Sequence, residues 1–275
     1  MDKPMEQKNK SNLSQDDGRV HNRNANQKPA GIYLNGHLHL TRAVVITAIL
    51  LVFLALLPAY IRTALWHGLH SHPILSSLLL CFALLALSLL WSTGERIDAW
   101  AFLAFNFRGK RPLWLDRMML GVTQLGAGWV SFLAAVIFFW AGNYPLGYEL
   151  ILGTITLWLL VEAMKAIIRR KRPYIKLIQT RIVGARPRGR SFPSGHTTQS
   201  FFTTTLLVQH FHPPTWAAVL LYILALLVGV TRMYVGAHYP RDVMAGAILG
   251  SVWGALGVIS DIHFFEGLTQ FLAIH

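Results

Sequence analysis

The sequence predicts an all-α polytopic membrane protein, a helical bundle of about seven spans. Of its 275 residues, 53% are hydrophobic and only 13% are charged, whereas soluble domains carry roughly 25% charged residues. Residues 43–61 form an uncharged run between Arg42 and Arg62, and a helix of that length matches a hydrocarbon core about 30 Å thick. The net charge of +13 does not indicate a nucleic-acid partner, because such proteins need their basic face in water.

The predicted elements follow from uncharged runs and from turn signals at 142–145 and 212–214. Spans are expected at 43–61, 73–91, 118–141, 147–168, 196–211, 215–231 and 243–260. The aromatic and charged stretch 94–117 is typical of a helix lying in the membrane interface. We expect a polar, disordered tail (1–41), an extra span with its loop (42–72), a core (73–260) and a C-terminal tail (261–275). The lone cysteine, Cys81, excludes a disulfide framework.

Three polar clusters lie at the ends of the predicted spans. Their chemistry-bearing residues are Lys165 and Arg172 in the first cluster, Ser194, Gly195 and His196 in the second, and Arg232, His238 and Asp242 in the third. The first two clusters lie between the fourth and fifth spans, and the third lies between the sixth and seventh. All three are therefore expected on the same side of the membrane.

These residue types suit a phosphoryl group, whose oxygens need positive charge and N–H donors. One lysine and two arginines supply the cations, and arginine binds phosphate oxygens in a bidentate manner. The main-chain N–H groups of residues 194–196 begin a span, where the helix dipole favours an anion. Asp242 follows His238 by four residues, so it is expected to fix the tautomer of a nucleophilic imidazole. His196 is then free to protonate a leaving oxygen.

Each cluster also has a structural interpretation when taken alone. The run KAIIRRKRP is typical of a topology anchor, and we assign Arg169, Arg170 and Lys171 that role. The segment P-S-G-H reads as a turn with a serine N-cap. The segment H-Y-P-R-D reads as a helix start with an acidic first turn. Their occurrence in this order on one face favours a shared site.

Together the clusters resemble the type 2 phosphatidic acid phosphatase family, whose signature is K-x6-R-P, P-S-G-H and S-R-x5-H-x3-D. The resemblance covers about residues 98–260 and implies that His238 takes the phosphoryl group as a phosphohistidine, assisted by Asp242. It also implies that His196 protonates the leaving group. The phosphate-binding residues that it implies are Lys165, Arg172, Ser194, Gly195 and Arg232. One departure is Thr231, where the family has serine, and a six-span family core makes the first span an addition.

The sequence thus predicts an integral membrane phosphohydrolase that acts on a lipid phosphate or lipid diphosphate without a metal or other cofactor. Its partners are the lipid substrate and membrane lipids, and the oligomeric state stays open. Phosphatidate-like lipids, phosphatidylglycerophosphate, polyprenyl diphosphate and phosphorylated glycolipids all remain candidate substrates. One alternative is a lipid phosphotransferase with the same intermediate. Another is a lipid transporter or scramblase, although transporters place polar residues near the middle of the membrane.

Two weaker features and the charge distribution complete the prediction. Three histidines lie in the loop before the second predicted span and have no acid nearby. We interpret them as polar interface residues rather than as a metal site: His67, His70 and His72. Glu162 is either a functional intramembrane carboxylate or a partner of Lys165 or Arg169.

Of the 25 Lys and Arg residues, 24 fall on the active-site side, so the positive-inside rule predicts a cytoplasmic catalytic face in a bacterial inner membrane. An extracytoplasmic face is the alternative, because catalysis itself requires cations there and bacterial members of the family commonly work outside.

Overall fold

A computed structural model describes residues 63, 66, 70–106, 109 and 111–274, with side chains as far as residue 257. The predicted tail and the predicted first span, 43–61, lie outside the described residues. Helices are the only regular secondary structure of the described part, which contains no strand. Its helices are α1 (Pro73–Ser88), α2 (Ser92–Phe105), α3 (Leu113–Gln124), α4 (Gly128–Trp140), α5 (Tyr144–Ile168), α6 (Pro173–Lys176), α7 (Gly195–Phe211), α8 (Thr215–Tyr234) and α9 (Pro240–Ile274).

In the described part, the helices coincide with the predicted spans apart from two differences. The predicted span 118–141 is instead two helices, α3 and α4, whose axes differ by 56°. In the described part, Tyr144–Lys176 and Thr215–Tyr234 are long and apolar enough to cross a bilayer, and the bent pairs α1/α2 and α3/α4 bring the number to at most four. The count of seven spans stays a prediction. Helix α9 also continues through residue 261 to Ile274 without a break.

Helix ends bring the polar clusters to one end of the bundle. Asn143 caps α5, because its side chain accepts a hydrogen bond of 3.3 Å from the Leu146 amide. Helix α5 ends at Arg169, whose left-handed φ of 52° turns the chain away from the helix axis. Pro213 and Pro214 follow α7 and prevent it from continuing. The end of α5 and the starts of α7 and α9 therefore lie side by side.

Glycines on α9 allow it to pack directly against the backbone of α7. A Cβ atom at Gly250 would lie 2.2 Å from the Thr198 carbonyl oxygen. At Gly246 and Gly254 a Cβ would lie 2.8 Å from the carbonyl oxygens of residues 194 and 202. Small residues spaced by four positions are a common means of close helix contact in membranes. This contact fixes the second cluster against the third.

The first prediction concerns this contact. We expect Gly250→Ala to lower the free energy of unfolding by about 1–3 kcal/mol, because the new methyl group must push the two helices apart. The matched control is Gly257→Ala, since a Cβ there meets only a Leu206 methyl carbon at 3.5 Å. Thermal unfolding of both variants in detergent micelles measures the difference. Equal midpoints would contradict the close packing of α7 on α9.

Helix α2 lies at 99° to α1, which fits the predicted interfacial helix, although its depth in a bilayer stays a prediction. One face of α2 is exposed and the opposite face is buried. The Trp100 side chain is 74% exposed, whereas Phe102 and Asp98 are buried. Helix α2 thus brings a carboxylate into the interior of the bundle.

Candidate active site

The three clusters meet at the end of the bundle where α5 ends and α7 and α9 begin. The Ser194 amide donates to the main-chain oxygen of Asp242 at 3.0 Å, which joins the second cluster to the third. Arg172 contacts His238, which joins the first to the third. His196 lies within electrostatic range of four other site residues, Lys165, Arg172, Arg232 and His238. The structure therefore brings together the residues that the sequence selected.

Arg172 is a buried arginine held by main-chain oxygens of two loops, one after α6 and one before α9. Its guanidinium donates to the main-chain oxygens of Arg188 at 2.8 Å, Gly189 at 3.2 Å and Ala237 at 3.1 Å. Its Nη1 atom also lies 3.2 Å from Nε2 of His238. Because a guanidinium only donates hydrogen bonds, Nε2 of His238 is the acceptor. Nε2 therefore carries the lone pair.

The other nitrogen of His238 confirms this tautomer. Nδ1 lies 2.7 Å from the carbonyl oxygen of Ser191, which only accepts, so Nδ1 carries the proton. Burial lowers the pKa of His238 to about 4, and the charges of Arg172 and Arg232 act in the same direction, while Asp242 opposes them. The imidazole is therefore neutral at pH 7. It presents a nucleophilic Nε2 beside the Arg172 cation.

The expectation that Asp242 fixes the tautomer of His238 directly was wrong in its geometry. Oδ2 of Asp242 lies 3.8 Å from Nδ1 of His238, beyond hydrogen-bond distance. It accepts instead from the Ser191 hydroxyl and, at 2.9 Å, from the Tyr239 amide. Helix α9 begins at Pro240, so His238 lies outside the helix and the spacing of four residues does not place the two side chains on adjacent helical turns. Asp242 thus acts on His238 through Ser191, which binds both side chains.

The start of α7 offers fewer amide donors than the sequence predicted. The Ser194 amide is already used by the Asp242 carbonyl, and the Ser194 hydroxyl lies 2.9 Å from that of Thr197. Within the described residues, the amides of Gly195 and His196 have no hydrogen-bond partner. The ring of His196 also makes no hydrogen bond there. These two amides remain available to an anion, with the dipole of α7 behind them.

Two further cations border this space. Nζ of Lys165 pairs with Glu162 at 2.7 Å, which confirms the pairing interpretation of Glu162, and lies 3.9 Å from the position of a Cβ on Gly195. Arg232 is buried and donates to the Thr123 hydroxyl at 2.8 Å. Its Nε is buried without a hydrogen-bond partner in the described part of the chain. A buried donor of this kind is rare in proteins and suits a phosphate oxygen.

The assignment of Arg170 as a topology anchor was wrong. Arg169 and Lys171 are exposed, but Arg170 is buried and forms ion pairs with Asp98 and Asp242. The left-handed residue at the end of α5 reverses the chain, so the next side chain points inward. Sequence reasoning missed Arg170 and Asp98 as members of this site, and it gave no role to Ser191, the residue with which the second cluster begins. The signal for Asp98 was weak, because it is one of three carboxylates within the aromatic stretch 94–117.

Nothing in the described part of the chain provides a group of three or more His, Cys, Asp or Glu side chains able to hold a metal. Of the three clustered histidines, His70 has its Nδ1 atom 2.9 Å from the carbonyl oxygen of Trp66. His67 lies outside the described residues.

The fold and the site define a helical membrane protein with a cation-rich polar site at one end of its bundle. A comparison with known proteins shows the family to which the chain belongs. The sequence profile of the PAP2 superfamily matches residues 146–262, which contain all three clusters. Phosphatidylglycerophosphatase B of Bacillus subtilis is 32% identical to this chain over 156 residues, which is 51% of this chain and 72% of the relative. The chain belongs to the PAP2 superfamily, which confirms the resemblance seen in its motifs.

Other relatives and solved structures agree. The undecaprenyl-diphosphatase of Sulfolobus acidocaldarius is 31% identical over 139 residues, 50% of this chain and 66% of that protein. The bacitracin transport permease protein BcrC of Bacillus licheniformis is 42% identical, with 31% of this chain and 40% of the relative covered. The chain thus spans less than two thirds of the length of these two relatives.

The fold itself matches two crystal structures. The PAP2-type phosphatidylglycerolphosphate phosphatase from Bacillus subtilis superimposes with a TM-score of 0.58 at 28% identity, covering 69% of this chain and 96% of the other. LpxE from Aquifex aeolicus gives a TM-score of 0.51 at 30% identity, covering 57% and 92%.

Proposed function

We propose that this protein is a membrane-embedded phosphatase that removes a phosphate from a lipid phosphate or lipid diphosphate. Relatives named undecaprenyl-diphosphatase, phosphatidylglycerophosphatase B and lipid A 4'-phosphatase share that type of reaction. The observation that carries the proposal is the neutral His238, whose Nε2 lone pair faces the Arg172 guanidinium. Such a pair places a nucleophile beside a phosphate-binding cation.

In the first step of the proposed reaction, Nε2 of His238 attacks the phosphorus atom while the bond to the lipid oxygen breaks. Arg172 transfers its hydrogen bond from Nε2 to a phosphate oxygen, which frees the lone pair. The developing charge is stabilised by Lys165, Arg232 and the amides that begin α7. The negative phosphate favours the protonated form of His196, which gives its proton to the leaving lipid oxygen. The product is a phosphohistidine.

In the second step, water attacks the phosphohistidine and the N–P bond breaks. His196, now neutral, accepts a proton from this water, as microscopic reversibility requires. Inorganic phosphate leaves, and His238 returns to the tautomer with the proton on Nδ1. An alcohol acceptor in place of water gives a phosphotransferase. This is the second candidate function, because both reactions use the same intermediate.

Phosphate release by the purified protein tests the proposed function. The substrates are phosphatidate, phosphatidylglycerophosphate, undecaprenyl diphosphate and a lipid A phosphate in detergent micelles, each with and without glycerol. We expect inorganic phosphate from at least one substrate. Phosphoryl transfer to glycerol with little free phosphate would identify a transferase. No turnover of any substrate would favour a lipid transporter or scramblase.

The second prediction is that this activity needs no metal. Three cations, Lys165, Arg172 and Arg232, occupy the role that magnesium has in other phosphoryl-transfer sites. We expect full phosphate release in excess chelator. Loss of activity in the chelator that added magnesium restores would contradict this prediction.

The third prediction concerns membrane topology. We propose seven spans, with the first span an addition to the core at 73–260 and the catalytic face in the cytoplasm of a bacterial inner membrane, following the excess of Lys and Arg on that side. In a Cys81→Ser background, Ser11→Cys should resist an impermeant maleimide in intact cells, while Thr269→Cys reacts. The reverse pattern would place the catalytic face outside.

A further inference from the structure

A buried charge network connects helix α2 to the candidate nucleophile. Asp98 on α2 and Asp242 on α9 are both buried, and one guanidinium, that of Arg170, bridges them. Its Nη1 atom donates to Asp242 and its Nη2 atom donates to Asp98. Its face lies over the Tyr239 ring, 4.2 Å from the ring centroid. These contacts with two carboxylates and one aromatic ring hold the Arg170 guanidinium in one orientation.

Arg170 reaches His238 by two routes that both pass through Ser191. Its carbonyl oxygen accepts a hydrogen bond of 2.9 Å from the Ser191 amide. Its guanidinium holds Asp242, which accepts from the Ser191 hydroxyl. The Ser191 carbonyl in turn accepts the Nδ1 proton of His238 at 2.7 Å. The position of the nucleophilic ring thus depends on where Arg170 lies.

Asp98 holds the far side of Arg170 and is itself held by a second arginine. The main-chain amide of Arg241 and its Nε atom both donate to Asp98 at 3.1 Å. The same guanidinium donates to the Ser88 carbonyl at 2.7 Å, at the end of α1. Two carboxylates and two guanidinium groups make this cluster neutral. Such a buried network is favourable only while every member is paired.

From these contacts we infer that Arg170 and Asp98 are positioning residues for the proposed phosphatase reaction, on which this assignment depends. Neither residue is among the catalytic or phosphate-binding residues that the motifs imply, although Arg170 lies within the KAIIRRKRP segment of the first cluster. They hold Asp242 and Ser191, which orient the imidazole for in-line attack. A misplacement of about 1 Å at a reacting group lowers turnover by about 100-fold.

The chain contains a matched control for this network. Arg181 pairs with Asp116 on α3, and its guanidinium lies over the Tyr234 ring, 5.8 Å from the centroid. It repeats the arginine, aspartate and tyrosine of the network, but it contacts neither Asp242 nor Ser191. Arg181→Gln and Asp116→Asn therefore remove an ion pair between the same residue types, although a more exposed one, without touching the nucleophile.

The experiment compares kcat and KM for the wild type and five variants, normalised to folded protein from size-exclusion chromatography in detergent. We expect Arg170→Gln to lower kcat about 10- to 100-fold and Asp98→Asn to lower it about 10-fold, with KM little changed, because the chemical step loses its orientation. Arg170→Lys should recover part of the activity, since an ammonium pairs with only one of the two carboxylates. Arg181→Gln and Asp116→Asn should keep kcat within about twofold of the wild type.

An unchanged kcat in both Arg170→Gln and Asp98→Asn would overturn the assignment. A rise in KM without a fall in kcat in these variants would also overturn it, because it would mean that the two residues bind the substrate directly. If Arg170→Gln does not fold, Asp98→Asn decides, because it keeps the shape of the side chain at position 98 and removes only the charge that holds the Arg170 guanidinium. Failure of the wild type to release phosphate would instead overturn the proposed function, so the two failures are distinguishable.

Discussion

Replacing His238 with alanine is expected to lower phosphate release by about 10³-fold or more, because a methyl group cannot form the covalent intermediate. The neutral ring with its lone pair on Nε2 has no substitute nearby. His196 is the other histidine of the site, and its ring is held by no hydrogen bond within the described residues. It cannot take over an attack that requires a fixed orientation.

The measurement is a rapid acid-free quench with substrate labelled in the phosphate. A phosphohistidine is acid-labile and base-stable, so label should remain on the wild-type protein in base and be lost in acid. His238→Ala should trap none. His210→Ala is the control, because His210 lies near the other end of α7 and contacts Asn143 at 2.9 Å. Equal trapping by His238→Ala and the wild type would show that another residue is the nucleophile.

Most of the helices and the three polar clusters were predictable because each depends on local sequence. Uncharged runs of span length predict helices regardless of their partners. Turn signals such as His212-Pro213-Pro214 predict where the helices end. The order of the spans then brings the clusters to one side. None of these steps requires knowledge of which helices touch.

What the sequence did not predict depends on contacts between distant residues. Asp98 and Arg170 are 72 positions apart, and no pattern along the chain links a carboxylate in α2 to the residue after a left-handed turn. The local rule of four residues likewise paired His238 with Asp242 directly. It failed because the helix begins between them, which leaves the Ser191 carbonyl closer to Nδ1.

The bend at residues 125–127 has a similar origin. The uncharged run across it predicted a single span, since hydropathy alone contains no information on direction. A Cβ at Gly126 would lie 2.4 Å from the His196 carbonyl oxygen, so the chain passes directly against the start of α7. The bend thus belongs to the packing around the site rather than to the hydropathy of the segment.

His196→Ala is expected to slow the release of a lipid alcohol by about 10²- to 10⁴-fold, the usual contribution of a general acid. A lipid alkoxide is a poor leaving group, so it needs a proton as the P–O bond breaks. Nitrophenolate is stable as an anion and leaves without one. The same variant should therefore retain most of its activity on nitrophenyl phosphate.

The ratio of the two activities separates a general acid from a residue that only binds phosphate. Loss of phosphate binding lowers turnover of both substrates together, because both carry the same phosphoryl group. Arg172→Lys supplies that comparison, because it keeps a cation but loses the two parallel N–H donors with which a guanidinium binds two phosphate oxygens. We expect Arg172→Lys to reduce both activities in parallel and His196→Ala to reduce only the lipid activity. A parallel loss in His196→Ala would mean that His196 binds the phosphate instead of protonating the leaving oxygen.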